Sequence, residues 1–135
     1  MNNRFNIRYF NKNSKKFEYL KIGAVNFNLF TDWTVYEQGQ FCTGLKDKNG
    51  KLIYEGDIVK YAEFDWTDFS FKDWETEIAQ VVWGNTYDNY YPAFDLKDTD
   101  FDGINAFAYL FNEGWTIEVI GNIYENKELL ESEEE

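Results

Sequence analysis

The sequence predicts a single, mainly β domain of barrel-like or sandwich architecture with one or two short helices. Three observations predict it. Short runs alternate apolar with polar residues, Gly and Asn separate those runs, and a single stretch spaces its apolar residues for one helical face. This pattern argues against a βαβ fold, which needs helices between successive strands.

Taken in order, Arg4 to Phe10 alternates, with Phe5, Ile7 and Tyr9 on one face and Arg4, Asn6 and Arg8 on the other. The polar run 11–16 has turn chemistry, and Phe17 to Leu20 resumes an extended pattern, so an N-terminal β-hairpin is expected. Ala24 to Phe30 alternates again through Val25, Phe27 and Leu29. Gln40 to Leu45 reads as a strand, Asn49-Gly50 as a tight turn, and 51–54 as the returning strand. After the turn Glu55-Gly56-Asp57, Ile58 to Ala62 and then Glu77 to Trp83 have the β-branched content of strands, the second broken by Gly84-Asn85. Residues 101–112 form the helix candidate, with Asp102 as N-cap, Ile104, Phe107, Ala108 and Phe111 on one face, and Gly114 as terminator. Trp115 to Ile120 returns to strand, Gly121-Asn122 turns, and Ile123-Tyr124 adds a last extended piece. The expected domain spans residues 1–126. Residues 127–135 read as an acidic tail that frays, within which Glu128-Leu129-Leu130 suits a helical turn. No internal repeat or Pro/Gly/Ser linker divides the chain, and its one proline, Pro92, falls in a polar aromatic loop.

A chain of 135 residues closes around one core, and 13 Phe, 10 Tyr and 5 Trp supply the apolar surface to fill it. No run reaches the roughly 18–20 apolar residues of a membrane span, and the start Met1-Asn2-Asn3-Arg4 lacks an apolar signal core, so no membrane association and a cytoplasmic location are expected. The lone Cys42 has no disulfide partner and reads as a buried structural thiol. With no histidine in the chain, Ser–His and Cys–His nucleophile systems are excluded, as are the usual zinc sites. The enzyme reading that survives is hydrolysis by a carboxylate pair and magnesium, and 25 Asp and Glu single out no pair.

The net charge of −12 is unevenly placed: residues 1–60 sum to +4 and residues 61–135 to −16. Such asymmetry makes either an acidic surface that attracts basic partners or two regions that complement one another inside one fold, and so acidic a chain repels nucleic acid unless its basic first segment acts alone.

The stretch 43–60, Thr-Gly-Leu-Lys-Asp-Lys-Asn-Gly-Lys-Leu-Ile-Tyr-Glu-Gly-Asp-Ile-Val-Lys, resembles the central signature of the YopX-like family of bacteriophage and prophage proteins. Residues 4–12 are similar to the family's opening strand and turn, and residues 118–126, followed by Glu128-Leu129-Leu130, to its closing block. The resemblance implies a phage or prophage gene acting in a host bacterial cell and a β-barrel-containing fold with small helical additions. It implies no activity and carries over no catalytic residue. Gly56-Asp57 introduces a strand in the manner of small SH3-like barrels, so the barrel expected is SH3-like or related. Gly44, Gly50 and Gly56 are read as builders of the fold. Residues 63–77 and 86–102, between the family blocks, are individual to this chain.

Residues 63–77 interleave six acids with five aromatics. In an extended chain, residues two apart share a face at about 6.6–6.8 Å, which would align Glu63 with Asp65 and Asp73 with Glu75 and Glu77 in rows of negative charge. Such rows mimic phosphates or meet Lys/Arg patches, and interleaved aromatics anchor interfaces. The candidate binding residues are Glu63, Asp65, Trp66, Asp68, Phe69, Phe71, Asp73, Trp74 and Glu75. The competing reading is a hairpin whose aromatics face the core and whose acids face water. The two readings differ over Trp66, Phe69 and Phe71.

Asp98, Asp100, Asp102 and Gly103 have the spacing of the first half of an EF-hand loop. Asn105 and Tyr109 then fail the pattern at its eighth and twelfth positions, so an acidic N-capping loop is expected and no metal or cofactor. Arg4, Arg8, Lys12, Lys15 and Lys16 are read as a solvated hairpin edge, or a face complementing the acidic half, in preference to a phosphate-binding strip. The functional expectation is a non-enzymatic accessory protein that binds a host or phage protein of basic surface through 63–77. Inhibition of that partner in host takeover or anti-defence, with nucleic-acid mimicry as one version, completes it. The alternative is a structural or regulatory phage component acting as a homo-oligomer with no host target.

Overall fold

The computed structural model describes residues 6–21, 33–65, 69–71, 76–84, 93–97 and 105–131. Strands β1 (Asn6–Asn11) and β2 (Lys16–Lys21) form the expected N-terminal hairpin, in register from Asn11↔Lys16 to Asn6↔Lys21. Its turn is organised by Asn11, whose Oδ1 accepts the N–H groups of Asn13 at 2.9 Å and Ser14 at 3.1 Å. A 3-10 turn, Trp33–Val35, follows the stretch that contains Val25, Phe27 and Leu29, which lies outside the described residues.

Strands β3 (Gln40–Lys46) and β4 (Leu52–Tyr54) extend the hairpin into an antiparallel sheet of order β2-β1-β3-β4. The Asn49-Gly50 turn joins them as expected. Asp47, itself buried, accepts from the N–H groups of Asn49 and Lys51 through Oδ1, each at 2.9 Å, and Gly50 takes a φ of 81°. The other Asp47 oxygen accepts the Val119 N–H at 2.9 Å, so the turn is also tied to the far end of the chain.

A second antiparallel sheet joins β5 (Asp57–Ala62), β8 (Glu77–Trp83), β9 (Phe94–Leu96) and β10 (Thr116–Asn122) in the order β10-β5-β8-β9. One of the two sheets curls into a half-barrel, and two short helices complete a mainly β fold. Between β5 and β8 the chain makes a small hairpin of β6 (Phe64–Asp65) and β7 (Ser70–Phe71). β10 runs through Gly121-Asn122, with a register shift between Val119 and Gly121, and the turn comes after it. Asn122 makes that turn, its Oδ1 accepting from the N–H groups of Tyr124 and Glu125 at 3.0 Å, so Ile123-Tyr124 is turn and not strand.

The core is Ile53, Val59, Tyr61, Ala79, Val81, Leu96 and Ile117 from the strands with Ala106, Phe107 and Leu110 from helix α1 (Ala106–Asn112). The sequence expects this helix over 101–112 with Asp102 as its cap; among the described residues it runs from 106, and the cap is Asn105. Asn105 Oδ1 accepts the Ala108 N–H at 2.9 Å, and the fully buried Asp95 accepts the Ala106 N–H at 3.0 Å, so two side chains satisfy the orphan donors of the first turn. Gly114, at a φ of 73°, ends the helix as expected. Helix α2 (Glu128–Glu131) packs against β8 and occupies the start of the segment read as a tail. No helix among the described residues is long and apolar enough to cross a membrane.

The inward face of β1 corrects the sequence reading. Alternation assigns Ile7 and Tyr9 to the core and Arg8 to water, yet Arg8 and Phe10 are buried while Ile7 and Tyr9 are half-buried. Arg8 goes in because its donors are answered there. Its Nε donates to Gln40 Oε1 and its Nη2 to Asp57 Oδ1, both at 2.8 Å, and Nη2 also reaches the Glu55 carbonyl at 3.3 Å. The guanidinium carbon sits 4.3 Å from the Phe17 ring centre and 4.7 Å from that of Tyr54.

Candidate functional site

Within 63–77, β6 and β7 form a hairpin, with Phe64 opposite Phe71 and Asp65 opposite Ser70. Glu63, half-buried, links β5 to it. Phe69 occupies the hairpin turn at a φ of 57°, and 75% of its surface is exposed. Asp65 and Phe71 are placed by their backbones, in β6 and β7, while Trp66, Asp68, Asp73, Trp74 and Glu75 lie outside the described residues. Of the three aromatics over which the two readings differ, Phe69 is the one whose side chain is described, and it is exposed. A bulky residue in left-handed backbone costs about 1–2 kcal/mol. Here that conformation sets an aromatic ring in solvent.

The other sequence candidates fall elsewhere. Arg8 is no part of a surface strip, since it is buried against Asp57; Lys12, Lys15 and Lys16 are exposed at the β1–β2 turn, and Arg4 lies outside the described residues. Cys42 is buried and free, and burial raises its thiol pKa, in keeping with a structural role. Asp98, Asp100 and Asp102 lie outside the described residues. Asn105 is engaged as a helix cap, and no group of three His, Cys, Asp or Glu among the described residues could hold a metal.

A second candidate escapes sequence reasoning. Gln38, Phe41, Cys42, Glu55, Trp83 and Phe94 line a cleft of about 410 Å³, with residues contributed by both sheets. β3 alternates so that Gln40 and Cys42 face in and Phe41 faces out, 49% exposed. At the end of β8, Trp83 is 42% exposed and meets Phe94 edge-on at 4.8 Å between ring centres. Glu55 stands in the β4–β5 turn, where its N–H donates to the Phe41 carbonyl at 2.9 Å and its Oε1 lies 3.4 Å from the Phe41 N–H. Burial pushes the Glu55 pKa above the ordinary carboxylate value, against the opposing pull of that N–H and of Arg8. The one sequence signal was Phe41 itself, an aromatic on the face opposite Cys42. Nothing local says that residues near 55, 83 and 94 gather around it.

The buried node beneath this cleft explains the central sequence block. Asp57 Oδ2 accepts the Tyr54 N–H at 2.8 Å while Oδ1 takes Arg8, closing the Glu55-Gly56 turn over the guanidinium. Burial raises the Asp57 pKa, and the Arg8 guanidinium and the Tyr54 N–H oppose the rise. Gly56 has a φ of 87°, and a Cβ there would run into the Gln40 side chain. Its N–H donates to the Val81 carbonyl at 2.8 Å and its carbonyl accepts from Ile123 at 3.0 Å, so one turn holds β8 and the exit of β10.

Comparison with known proteins agrees with this architecture. No curated protein matches the chain. Among solved structures it is similar to that of protein EF1440 from Enterococcus faecalis, at 21% identity over 92% of this chain and 96% of that one, with a TM-score of 0.53, a likeness of fold. The model of the YopX protein family matches residues 9–131, and the chain belongs to that family.

Proposed function

We propose that this YopX family member is a non-enzymatic phage or prophage accessory protein that binds a host or phage protein of basic surface, through the acidic aromatic hairpin at 63–77, and thereby inhibits or redirects it. The observation that carries the reading is Phe69, an aromatic ring 75% exposed at the tip of an acidic hairpin and held in left-handed backbone. Strain of this kind, kept where the core does not require it, points to use. The −16 carried by residues 61–135 supports a basic partner and disfavours nucleic acid. The resemblance to phage and prophage proteins supports the setting.

The experiment is capture from bacterial lysate by the folded protein, with Phe69→Asn as comparator. Asn accepts left-handed backbone, so the variant should keep or gain up to about 1 kcal/mol of stability. It should also lose the captured protein. Capture should weaken steeply between about 50 and 500 mM salt, because screening removes attraction between exposed charges. Retention of the same protein by Phe69→Asn, or indifference to salt, would overturn the reading.

A further inference from the structure

We infer that the cleft between β3 and the β8–β9 end is a receptor for an alkylammonium group, the head of a lysine side chain on the protein partner. The inference rests on the reading that the partner is basic, and names the chemistry by which it is held. It starts from the walls. Phe41 and Trp83 stand half-exposed around a concavity, and Phe94, also on its wall, meets Trp83 edge-on. Aromatic faces carry negative potential and attract cations.

Glu55 supplies the counter-charge. The backbone pairing with Phe41 fixes its position on the wall, and among the described residues no Lys or Arg forms a salt bridge with its carboxylate. Arg8, which reaches the Glu55 carbonyl, directs its guanidinium to Gln40 and Asp57. The alternatives fit less well. An anion would meet the carboxylate and the field of a chain at −12. A neutral apolar group would desolvate the carboxylate further with nothing to compensate it, whereas an ammonium pairs with it while its methylenes lie against the rings. The raised pKa of Glu55 agrees, since burial disfavours its charged form by more than the Phe41 N–H and Arg8 restore it.

The position also suits a partner already engaged at the hairpin. β5 starts at Asp57, beside the cleft, and ends at Ala62, beside β6, so the two sites are separated by one strand, about 20 Å. A standard protein interface spans both.

The test is an NMR titration of the full chain with a short lysine peptide, the same peptide with norleucine at that position, and tetramethylammonium. The lysine peptide should shift the Trp83 indole and Phe41 signals saturably, and norleucine, with the same number of side-chain carbons but uncharged, should bind at least about tenfold more weakly. Glu55→Gln should weaken lysine at least about tenfold and leave norleucine unchanged. Should Glu55→Gln disturb the fold, Trp83→Leu serves in its place, with the same loss expected for lysine. Tetramethylammonium, which brings the alkylammonium charge without the peptide, should shift the same signals. Norleucine binding as tightly as lysine would reduce the cleft to an apolar groove, and that result, or no shift with any probe, overturns the inference. Capture that still depends on Phe69 would leave the hairpin reading standing in each case.

Discussion

Two regions of this chain set charge among aromatic rings, and the fold treats them in opposite ways. Around Arg8, the guanidinium lies close to Phe17 and Tyr54, and each of its neighbours comes from another element: Gln40 is 32 residues away and Asp57 is 49. In the 63–71 hairpin the pairing is local, Phe64 with Phe71 and Asp65 with Ser70, and the ring of Phe69 stands in water. The difference teaches that composition does not decide exposure. A charge goes inside when distant elements converge to answer its hydrogen bonds, whereas an aromatic ring held only by its own turn stands outside.

The sharpest way to break the comparison is to remove the cation from the node. Arg8→Met should destabilise the fold by about 3–5 kcal/mol, because it leaves Asp57 buried without its partner. Adding Asp57→Asn should then cost clearly less than in the wild type, by at least about 1 kcal/mol of coupling in a urea-denaturation cycle. If the two substitutions simply add, the pair is not what holds the node together.

Glycines give the next contrast. Gly56→Ala should lose about 2–4 kcal/mol, since left-handed backbone and collision with Gln40 add up. Gly50→Ala, with a φ of 81° but nothing within 4 Å, should lose only the backbone share, about 1–2 kcal/mol. Equal losses in thermal melts would remove Gln40 from the account of the family signature.

A smaller effect is expected from pH. Glu55 titrates near 4.5 when unperturbed, and burial raises it in the folded chain. Folding therefore favours its protonated form, so its contribution is fully present below that ordinary value and is lost as pH rises through the folded pKa. Glu55→Gln should flatten this part of the stability profile, and an unchanged profile would show that the carboxylate is well solvated.

Much of the fold was legible because its signals are local. Asn49-Gly50, Gly56-Asp57, the polar turn at 11–16 and the alternation of β5 and β8 each fix one turn or strand by chemistry within a few residues. The inward Arg8 was not legible, since alternation alone sends charge to water and the residues that reverse this lie far along the chain. Asn105 displaced Asp102 as helix cap for a related reason: Asp95, from β9, supplies the second acceptor that makes a start at 106 satisfactory. The hairpin at 63–71 was visible in its composition. The cleft was not, because its wall residues run from 38 to 94 and meet only when both sheets are in place.

The most direct measurement is partner capture by a chain in which Asp65, Asp68, Asp73 and Glu75 are all changed to Lys, made beside its melting curve. The proposal requires these four side chains to face water, where substitutions cost within about ±0.5 kcal/mol each, so the melt should hardly move while capture is abolished. Normal capture by the folded variant would contradict the account and reduce the acidic row to a solvated face. Failure to fold would contradict it too, by placing those residues in the architecture.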